Sequence, residues 1–204
     1  MTRFLALNSH FKRNILIMFN LKKLQLPLQL LLLSVCLFHM TYAINSSTTP
    51  LSLKYNGTID VAFSPNGGVT NLVLQTINQS HSSILVEAYS FTSKEIATAL
   101  VNAKKRGVMI KIILDKSQVN KGKYSSAKFF ANQGFNLHID TKHQIFHNKV
   151  MIIDDNTIIT GSFNFTNAAE KKNAENLLVL HSTTELAKIY TNEFNYNWNI
   201  SATY

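Results

Sequence analysis

Cysteine is nearly absent from this chain, whose 204 residues include only Cys36, in an apolar stretch near the N-terminus. The remainder therefore has no pair of cysteines with which to form a disulfide. Should this remainder be exported, its stability must come from core packing and from a subunit interface, because no covalent crosslink is available.

The chain also has no apolar run of the length that spans a bilayer. Its mostly apolar stretch, residues 24–38, is about 15 residues long, whereas a spanning helix needs roughly 20. Lys22 and Lys23 precede this stretch, and a small-residue cleavage site ends at Ala43. We therefore predict that residues 1–43 are a secretory signal peptide, with an uncleaved membrane anchor as the alternative.

Cleavage after Ala43 would leave residues 44–204 as a single catalytic domain. Translation starting at Met18 rather than Met1 would give the signal peptide a more ordinary length.

Positive charge is modest in this domain. Five of the 20 basic residues lie in the leader, which leaves 15 basic against 11 acidic residues. A net charge of about +4 attracts phosphates mildly and suits either nucleic acid or an anionic membrane surface.

One short segment carries the pattern HxKxxxxD, formed by His147, Lys149 and Asp154. The β-branched run inside it, residues 150–153, predicts a buried strand. His147 and Lys149 are two residues apart and so project from the same face of this strand, whereas Asp154 has the opposite parity. Asp154 is therefore predicted to tie down the end of the strand rather than to take part in chemistry.

A second β-branched segment, residues 157–162, follows the turn-forming pair Asp155-Asn156 and predicts a hairpin. Ser162 and Asn164 leave the end of this hairpin together. Their hydroxyl and amide groups suit the non-bridging oxygens of a phosphate whose charge Lys149 neutralises. The set therefore predicts phosphoryl transfer.

A neutral histidine at position 147 can attack phosphorus if its other ring nitrogen donates to a fixed acceptor. Glu175, at the start of the strand-like segment 176–180, is the candidate for that acceptor. The leaving oxygen also needs an acid, yet the pattern supplies one histidine per chain. We expect the same histidine of a second copy to serve, which predicts a homodimer sharing one active site.

These residues resemble the signature of the phospholipase D superfamily in its short form, which has one motif per chain and includes secreted bacterial phospholipases D and small endonucleases. The second family motif, GSxNxT, is matched by residues 161–166, and Glu175 falls where the family has its histidine-orienting acid. The resemblance covers most of residues 58–198 and includes upstream segments at residues 61–65, 88–92 and 103–107.

The resemblance implies a phosphohistidine intermediate and neither a metal nor another cofactor. Carried over by position, it makes His147 the nucleophile or acid, Lys149 and Asn164 phosphate ligands, Ser162 a supporting donor and Glu175 the orienting acid. Four residues could instead be imagined as metal ligands: His138, Asp140, His143 and His147. Only His143 and His147 have the spacing of neighbours on a helix, and their segment does not look helical, which argues against a metal site.

Strands and helices alternate along the rest of the chain. Strands are predicted at residues 58–63, 83–89 and 108–114, and a helix near residues 124–132. Two more helices are expected to open at the capping boxes Thr92-x-x-Glu95 and Ser182-x-x-Glu185. The order predicts an α/β fold, a mixed β-sheet flanked by helices on both faces, as in the phospholipase D superfamily.

The motif does not separate phospholipid from nucleic acid as the substrate. Three features favour a membrane surface: export, the single arginine of the domain, and aromatic residues beside the motifs, Phe146, Phe163 and Phe165. The aromatics support this only if they are exposed rather than part of the core. Resemblance to the small endonucleases and a lysine-lined groove favour nucleic acid. We predict a phospholipase D that converts phosphatidylcholine to phosphatidate and choline, with a metal-independent endonuclease as the alternative.

A non-catalytic module that binds phosphate or nucleic acid is a second alternative, although binding alone has no use for a neutral histidine held by a carboxylate.

Localisation is predicted from the signal peptide and from the N-glycosylation sequons of the sequence. A glycan on the sequon residue Asn164 would block the phosphate site, so export from a bacterium is expected, giving a secreted protein.

Overall fold

The fold is built around one β-sheet. The computed structural model describes residues 50–119 and 125–204, and Leu53–Tyr204 forms one compact unit within it. The predicted signal peptide, residues 1–43, lies outside the described residues. In the described part of the chain, no helix combines the length and the apolar character needed to cross a bilayer.

The sheet contains eight strands in the described residues, in the order β1-β7-β6-β5-β2-β3-β4-β8. Strands β2, β3 and β4 run parallel to one another, whereas every other neighbouring pair is antiparallel. The predicted mixed sheet is thus confirmed. In chain order the strands are β1 (Ile59–Ser64), β2 (Ser83–Ala88), β3 (Met109–Asp115), β4 (Asn136–Asp140), β5 (Lys149–Ile153), β6 (Thr157–Gly161), β7 (Glu175–Leu180) and β8 (Ala202–Thr203).

Helices cover both faces of this sheet, as predicted. The helices of the described residues are α1 (Val69–Asn78), α2 (Lys94–Lys105), α3 (Ser126–Asn132), α4 (Asn167–Lys171) and α5 (Thr184–Ile200). Helices α1, α2 and α3 pack on one face, where Val73, Leu100 and Phe130 join the main core. Helix α5 covers the other face, where Phe194 packs near Ile152.

Strand β5 explains why the motif contains an unbroken apolar run. All five of its residues are buried, with Met151 and Ile153 in the core beneath α1–α3 and Val150 and Ile152 in the core beneath α5. A strand covered on both faces buries every side chain, so it loses the alternation of a half-exposed strand. Lys149, the first residue of β5, is the polar member of this buried strand.

Both predicted capping boxes are wrong in detail. Helix α2 is capped by Ser93, whose hydroxyl accepts the N–H of Ile96 at 3.3 Å. Thr92 lies one residue before this cap, and the N–H groups of Thr92 and Ser93 both donate to the carbonyl of Phe165 at 2.9 Å. Ser182 has a positive φ of 58°, and α5 begins after Thr183 without a side-chain cap. Helix α2 therefore starts at a local cap one residue later than predicted, whereas α5 starts without one.

Candidate active site

The β5–β6 hairpin brings the two motif segments together, as predicted. The strands pair with Met151 opposite Ile159, and the turn contains Asp154 and Asp155 in the left-handed region, with φ of 53° and 52°. Aspartate tolerates this conformation better than most residues. The first residue of β5 and the last residue of β6 therefore lie together at the open end of the hairpin, away from the turn.

Asp154 anchors the turn end of this hairpin. One carboxylate oxygen accepts the N–H groups of Ser82 and Ser83 at 2.8 and 2.9 Å and the Ser82 hydroxyl at 2.8 Å. The other oxygen accepts the N–H of His81 at 2.9 Å. Burial by itself would raise the pKa of Asp154, but these hydrogen bonds lower that pKa below its ordinary value. Asp154 thus holds the loop before β2, in agreement with a structural role.

Replacing Asp154 with asparagine is expected to reduce the free energy of unfolding by about 1–3 kcal/mol, because one oxygen that accepts backbone N–H groups becomes a donor. The deficit should be largest above the ordinary pKa of 3.8 and shrink as the pH falls, since the wild-type contribution is lost when the carboxylate is protonated. Urea titrations from pH 3 to pH 8 would measure it. Equal stability at neutral pH would contradict this role.

His147 and Lys149 lie at the open end of the hairpin, away from the turn that Asp154 anchors. The Lys149 ammonium donates to the His147 backbone carbonyl at 2.7 Å. The ring of Tyr89 contacts both residues, with its centroid 4.7 Å from the imidazole centroid and 5.2 Å from the lysine nitrogen. The His147 side chain is exposed, whereas Lys149 is only 7% exposed. An accessible imidazole therefore stands beside a fixed, largely buried cation.

The pKa of the Lys149 ammonium group is changed by its surroundings. Burial lowers the pKa of this ammonium below its ordinary value, and the nearby negative charge of Glu175 partly offsets that effect. Glu175 is the first residue of β7 and lies opposite Ser64 of β1. A buried ammonium group is a suitable ligand for a phosphate that enters the site, while the carboxylate of Glu175 helps to keep that ammonium protonated.

Ser162 positions that carboxylate. Its hydroxyl donates to Glu175 at 2.6 Å and accepts the N–H of Asn176 at 3.1 Å, and Asn173 donates to the second oxygen of Glu175 at 3.1 Å. Gly161 makes this approach possible. It has a φ of 152°, and a Cβ there would collide with the carbonyl of Asn176, so the first residue of GSxNxT must be glycine.

Two details differ from the expected site. The carboxylate of Glu175 is held by Ser162 and Asn173, and no hydrogen bond joins it to His147 in the described chain. The single hydroxyl proton of Ser162 is already donated to Glu175, so this serine supports the carboxylate rather than presenting a free donor to phosphate. Sequence spacing located these residues at the site but did not determine which atoms they contact.

Asn164 lies on the loop that follows β6. This loop is fixed because the next residue, Phe165, accepts the N–H groups of Thr92 and Ser93 at 2.9 Å. The side-chain oxygen of Asn164 is buried and has no hydrogen-bond partner among the described residues. This oxygen does not commit the amide to a contact within the described protein, and the NH₂ group of Asn164 is the donor that a phosphate oxygen would accept.

The three aromatics considered for membrane contact belong to the core. Phe146, Phe163 and Phe165 are 2%, 1% and 0% exposed, and Phe165 packs against Phe91 with centroids 5.4 Å apart. They therefore cannot form a docking surface, and that part of the sequence argument for a lipid substrate is wrong. Their buried rings instead anchor the loops that carry His147 and Asn164 to the core.

The histidines near the site have separate partners. His138 stacks on Trp198, with ring centroids 3.6 Å apart, and His143 bonds to Asp140 at 3.0 Å. Among residues 50–119 and 125–204, no group of three or more His, Cys, Asp or Glu side chains is arranged to hold a metal.

Tyr89 was not among the predicted site residues. It follows β2 directly, and β2 neighbours β5 in the sheet, so its ring reaches His147 and Lys149. The sequence contained two signals, because Tyr89 ends a predicted strand and lies within residues 88–92, one of the upstream segments that resemble the superfamily. Nothing local indicated which strand would be its neighbour.

A family model described as cardiolipin synthase, PLD-like domain, matches residues 73–198. This chain belongs to the phospholipase D superfamily. The match covers the hairpin, the GSxNxT loop and Glu175, so the motif resemblance and the observed fold agree. As a member of the superfamily, the chain is a phosphodiesterase of the hydrolase type.

Relatives of known name support this assignment. A phospholipase D from Rickettsia typhi is 42% identical over 132 residues, which are 65% of this chain and 64% of that protein. A phospholipase D from Rickettsia prowazekii is 37% identical over 75% of this chain and 78% of the relative. The crystal structure of the phospholipase D family member Nuc from Salmonella typhimurium is 42% identical with a TM-score of 0.69, covering 73% of this chain and 99% of Nuc.

Proposed function

We propose that this phosphodiesterase hydrolyses phospholipid headgroups, converting phosphatidylcholine to phosphatidate and choline through a phosphohistidine at His147. The observation that carries the proposal is the exposed imidazole of His147 beside the buried cation of Lys149, both in contact with Tyr89. This arrangement leaves the nucleophile accessible while holding the cation that stabilises the phosphoryl oxygens.

In the proposed reaction a ring nitrogen of His147 attacks phosphorus, and the bond from phosphorus to the headgroup oxygen breaks. An acid protonates that oxygen, and water then attacks the phosphohistidine to release phosphatidate and regenerate the imidazole. Lys149 and the amide of Asn164 bind the non-bridging oxygens. No step requires a metal, because Lys149 supplies the positive charge.

The acid is proposed to be His147 of a second copy, which makes the working enzyme a homodimer. A stripe of apolar residues supports this proposal. Ile59, Val61 and Phe63 of edge strand β1 are 46%, 52% and 63% exposed, and all three project from one side of the strand. The stripe ends next to Ser64, which lies opposite Glu175 in the site. A second copy seated on this stripe would therefore adjoin the site that it completes.

The phospholipid substrate is supported by the names of the Rickettsia relatives. Nucleic acid is the second candidate, because the motif resembles that of the small endonucleases and the domain carries a mild positive charge. Export by residues 1–43 and release from a bacterial cell remain part of the proposal, since a secreted enzyme of this class would meet foreign membranes.

A parallel assay tests the substrate. The purified enzyme, in excess EDTA, is incubated with phosphatidylcholine vesicles and with single- and double-stranded DNA over a range of enzyme concentrations. Choline release is expected at the lowest effective concentration, and His147→Asn serves as the control for contaminating activity. DNA cleavage at lower enzyme concentration would favour the nuclease, and loss of all activity in EDTA with recovery in zinc would contradict the metal-free mechanism.

A further inference from the structure

A buried carboxylate lies directly behind the segment that carries His147. Glu87 of β2 is 4% exposed and faces helix α5. One of its oxygens accepts the side-chain amide of Asn148 at 2.8 Å, and the other accepts that of Asn197 from α5 at 2.9 Å. None of the reaction steps proposed above uses Glu87, although a buried carboxylate is costly to keep without a purpose.

Asn148 is the residue between His147 and Lys149, so its position decides where the imidazole stands. Its backbone carbonyl accepts the N–H of Tyr89 at 2.9 Å, and the carbonyl of His147 accepts the Lys149 ammonium at 2.7 Å. With the contact to Glu87, three hydrogen bonds hold this short segment. The Glu87 contact is the one that ties it to the interior of the protein.

We propose that Glu87 is a positioning residue for His147, acting through Asn148, and that Asn197 links this contact to helix α5. The proposal rests on the reaction proposed for His147 and adds a residue that touches neither the substrate nor the imidazole. Productive attack on phosphorus depends on sub-ångström placement of the nucleophile, so a looser Asn148 lowers the rate of the chemical step.

The two amide groups match the ionised form of Glu87. An ionised carboxylate has two acceptor oxygens, one for each of the amide groups of Asn148 and Asn197. A protonated acid, like glutamine, has a donor group in place of one of those acceptors, so one of the two hydrogen bonds is weakened. The pKa of Glu87 is raised from 4.5 to about 7, chiefly by burial; the amides of Asn197 and Asn148 oppose this rise, and the charges of Glu193 and Asp140 add to it. His143 and His147 line the adjoining cavity. The contact is therefore complete above about pH 7 and weakened below it.

The variant Glu87→Gln imitates the protonated form at every pH. With bis(p-nitrophenyl) phosphate, its kcat should be close to that of the wild type at pH 5.5 and about ten-fold lower at pH 8.5, the loss expected for a hydrogen bond to a charged group. The change in the ratio should centre near pH 7, and KM should change little, because Glu87 does not touch the substrate.

Stability should change in the opposite direction. A folded-state pKa raised above 4.5 means that the stability contribution of Glu87 is lost as the pH rises through about 7. Glutamine does not titrate, so Glu87→Gln should gain stability relative to the wild type between pH 5 and pH 8.5 while losing relative activity. A purely structural role would make activity and stability change together.

Two further variants complete the test. Asn148→Ala should lower kcat at pH 8.5 by a similar factor, and Glu87→Gln should then add little in the double variant, because both remove the same contact. Thr76→Val is the matched control. It removes a buried hydroxyl that donates to Leu72 at 2.8 Å within α1, and it should leave the pH dependence of kcat unchanged.

Hydrogen exchange separates this proposal from the proposed function. Residues 145–151 of Glu87→Gln should exchange faster than in the wild type at pH 8.5, and this measurement needs no substrate. Absence of turnover in the wild type would overturn the proposed function, and the exchange result would still decide the positioning contact. Unchanged exchange, a pH-independent ratio of kcat values, or additive losses in the double variant would overturn the role of Glu87.

Discussion

The variant His147→Asn is expected to lose phosphodiester turnover by about 10⁴-fold or more, since removal of a nucleophile eliminates the covalent route. Lys149→Ala should follow with a loss of about 100- to 1000-fold, the usual effect of deleting one charge that stabilises the transition state. Asparagine is close to histidine in size and the side chain is exposed, so folding should be unaffected. Initial rates with bis(p-nitrophenyl) phosphate provide the measurement.

A matched control is His181→Asn. His181 follows the last residue of β7, at the end away from Glu175, and pairs with Asp60 at 2.9 Å. This variant should retain full turnover. Equal rates for His147→Asn and the wild type would exclude a phosphohistidine at this position, and inactivity of His181→Asn would show that the loss reflects folding rather than chemistry.

The second large effect is expected on mixing subunits. When wild-type chains exchange with a tenfold excess of His147→Asn, activity per wild-type chain should fall roughly ten-fold, because most wild-type chains then have a partner without the acid. Both attack and protonation of the leaving group need a histidine, and each chain contributes one. Constant activity per wild-type chain would show that each chain works alone.

The apolar stripe of β1 provides a structural counterpart to this experiment. Val61→Glu should shift the protein from dimer to monomer in sedimentation and reduce turnover at low protein concentration, with recovery as the concentration rises. Met109→Glu is the control, because Met109 is similarly exposed, at 45%, but begins β3, which lies five strands away from β1 in the sheet. A dimer that tolerates Val61→Glu would place the interface elsewhere.

Local pattern alone predicted much of the architecture. The β-branched run after Lys149 and the turn at Asp155 predicted the hairpin, because strand and turn propensities act over a few residues. Strand parity placed His147 and Lys149 together and set Asp154 apart, and the contacts of all three agree with it. Alternating strands and helices likewise predicted a mixed sheet with helices on both faces.

Local pattern failed where a distant residue determines the outcome. Thr92 looked like a helix cap, but the cap is Ser93, in a segment where the distant Phe165 accepts the N–H groups of both residues. Residue type favours a place in the core for the aromatics beside the motifs but is compatible with a membrane surface, and only the tertiary structure shows that Phe146 and Phe165 are buried. Spacing and family resemblance placed Glu175 at the site, but only the tertiary structure shows that Ser162 and Asn173 hold its carboxylate.

By itself, the sequence determined the candidate reacting groups, their order along the chain and the hairpin that carries them, because these depend on residue type and on short-range geometry. The order of the strands was decided only by the tertiary structure. That order places Tyr89 against Lys149, Ser64 opposite Glu175, and Glu87 within reach of Asn197, 110 residues away. Such contacts are determined by the burial of whole faces of the sheet and helices, which no short window of sequence specifies.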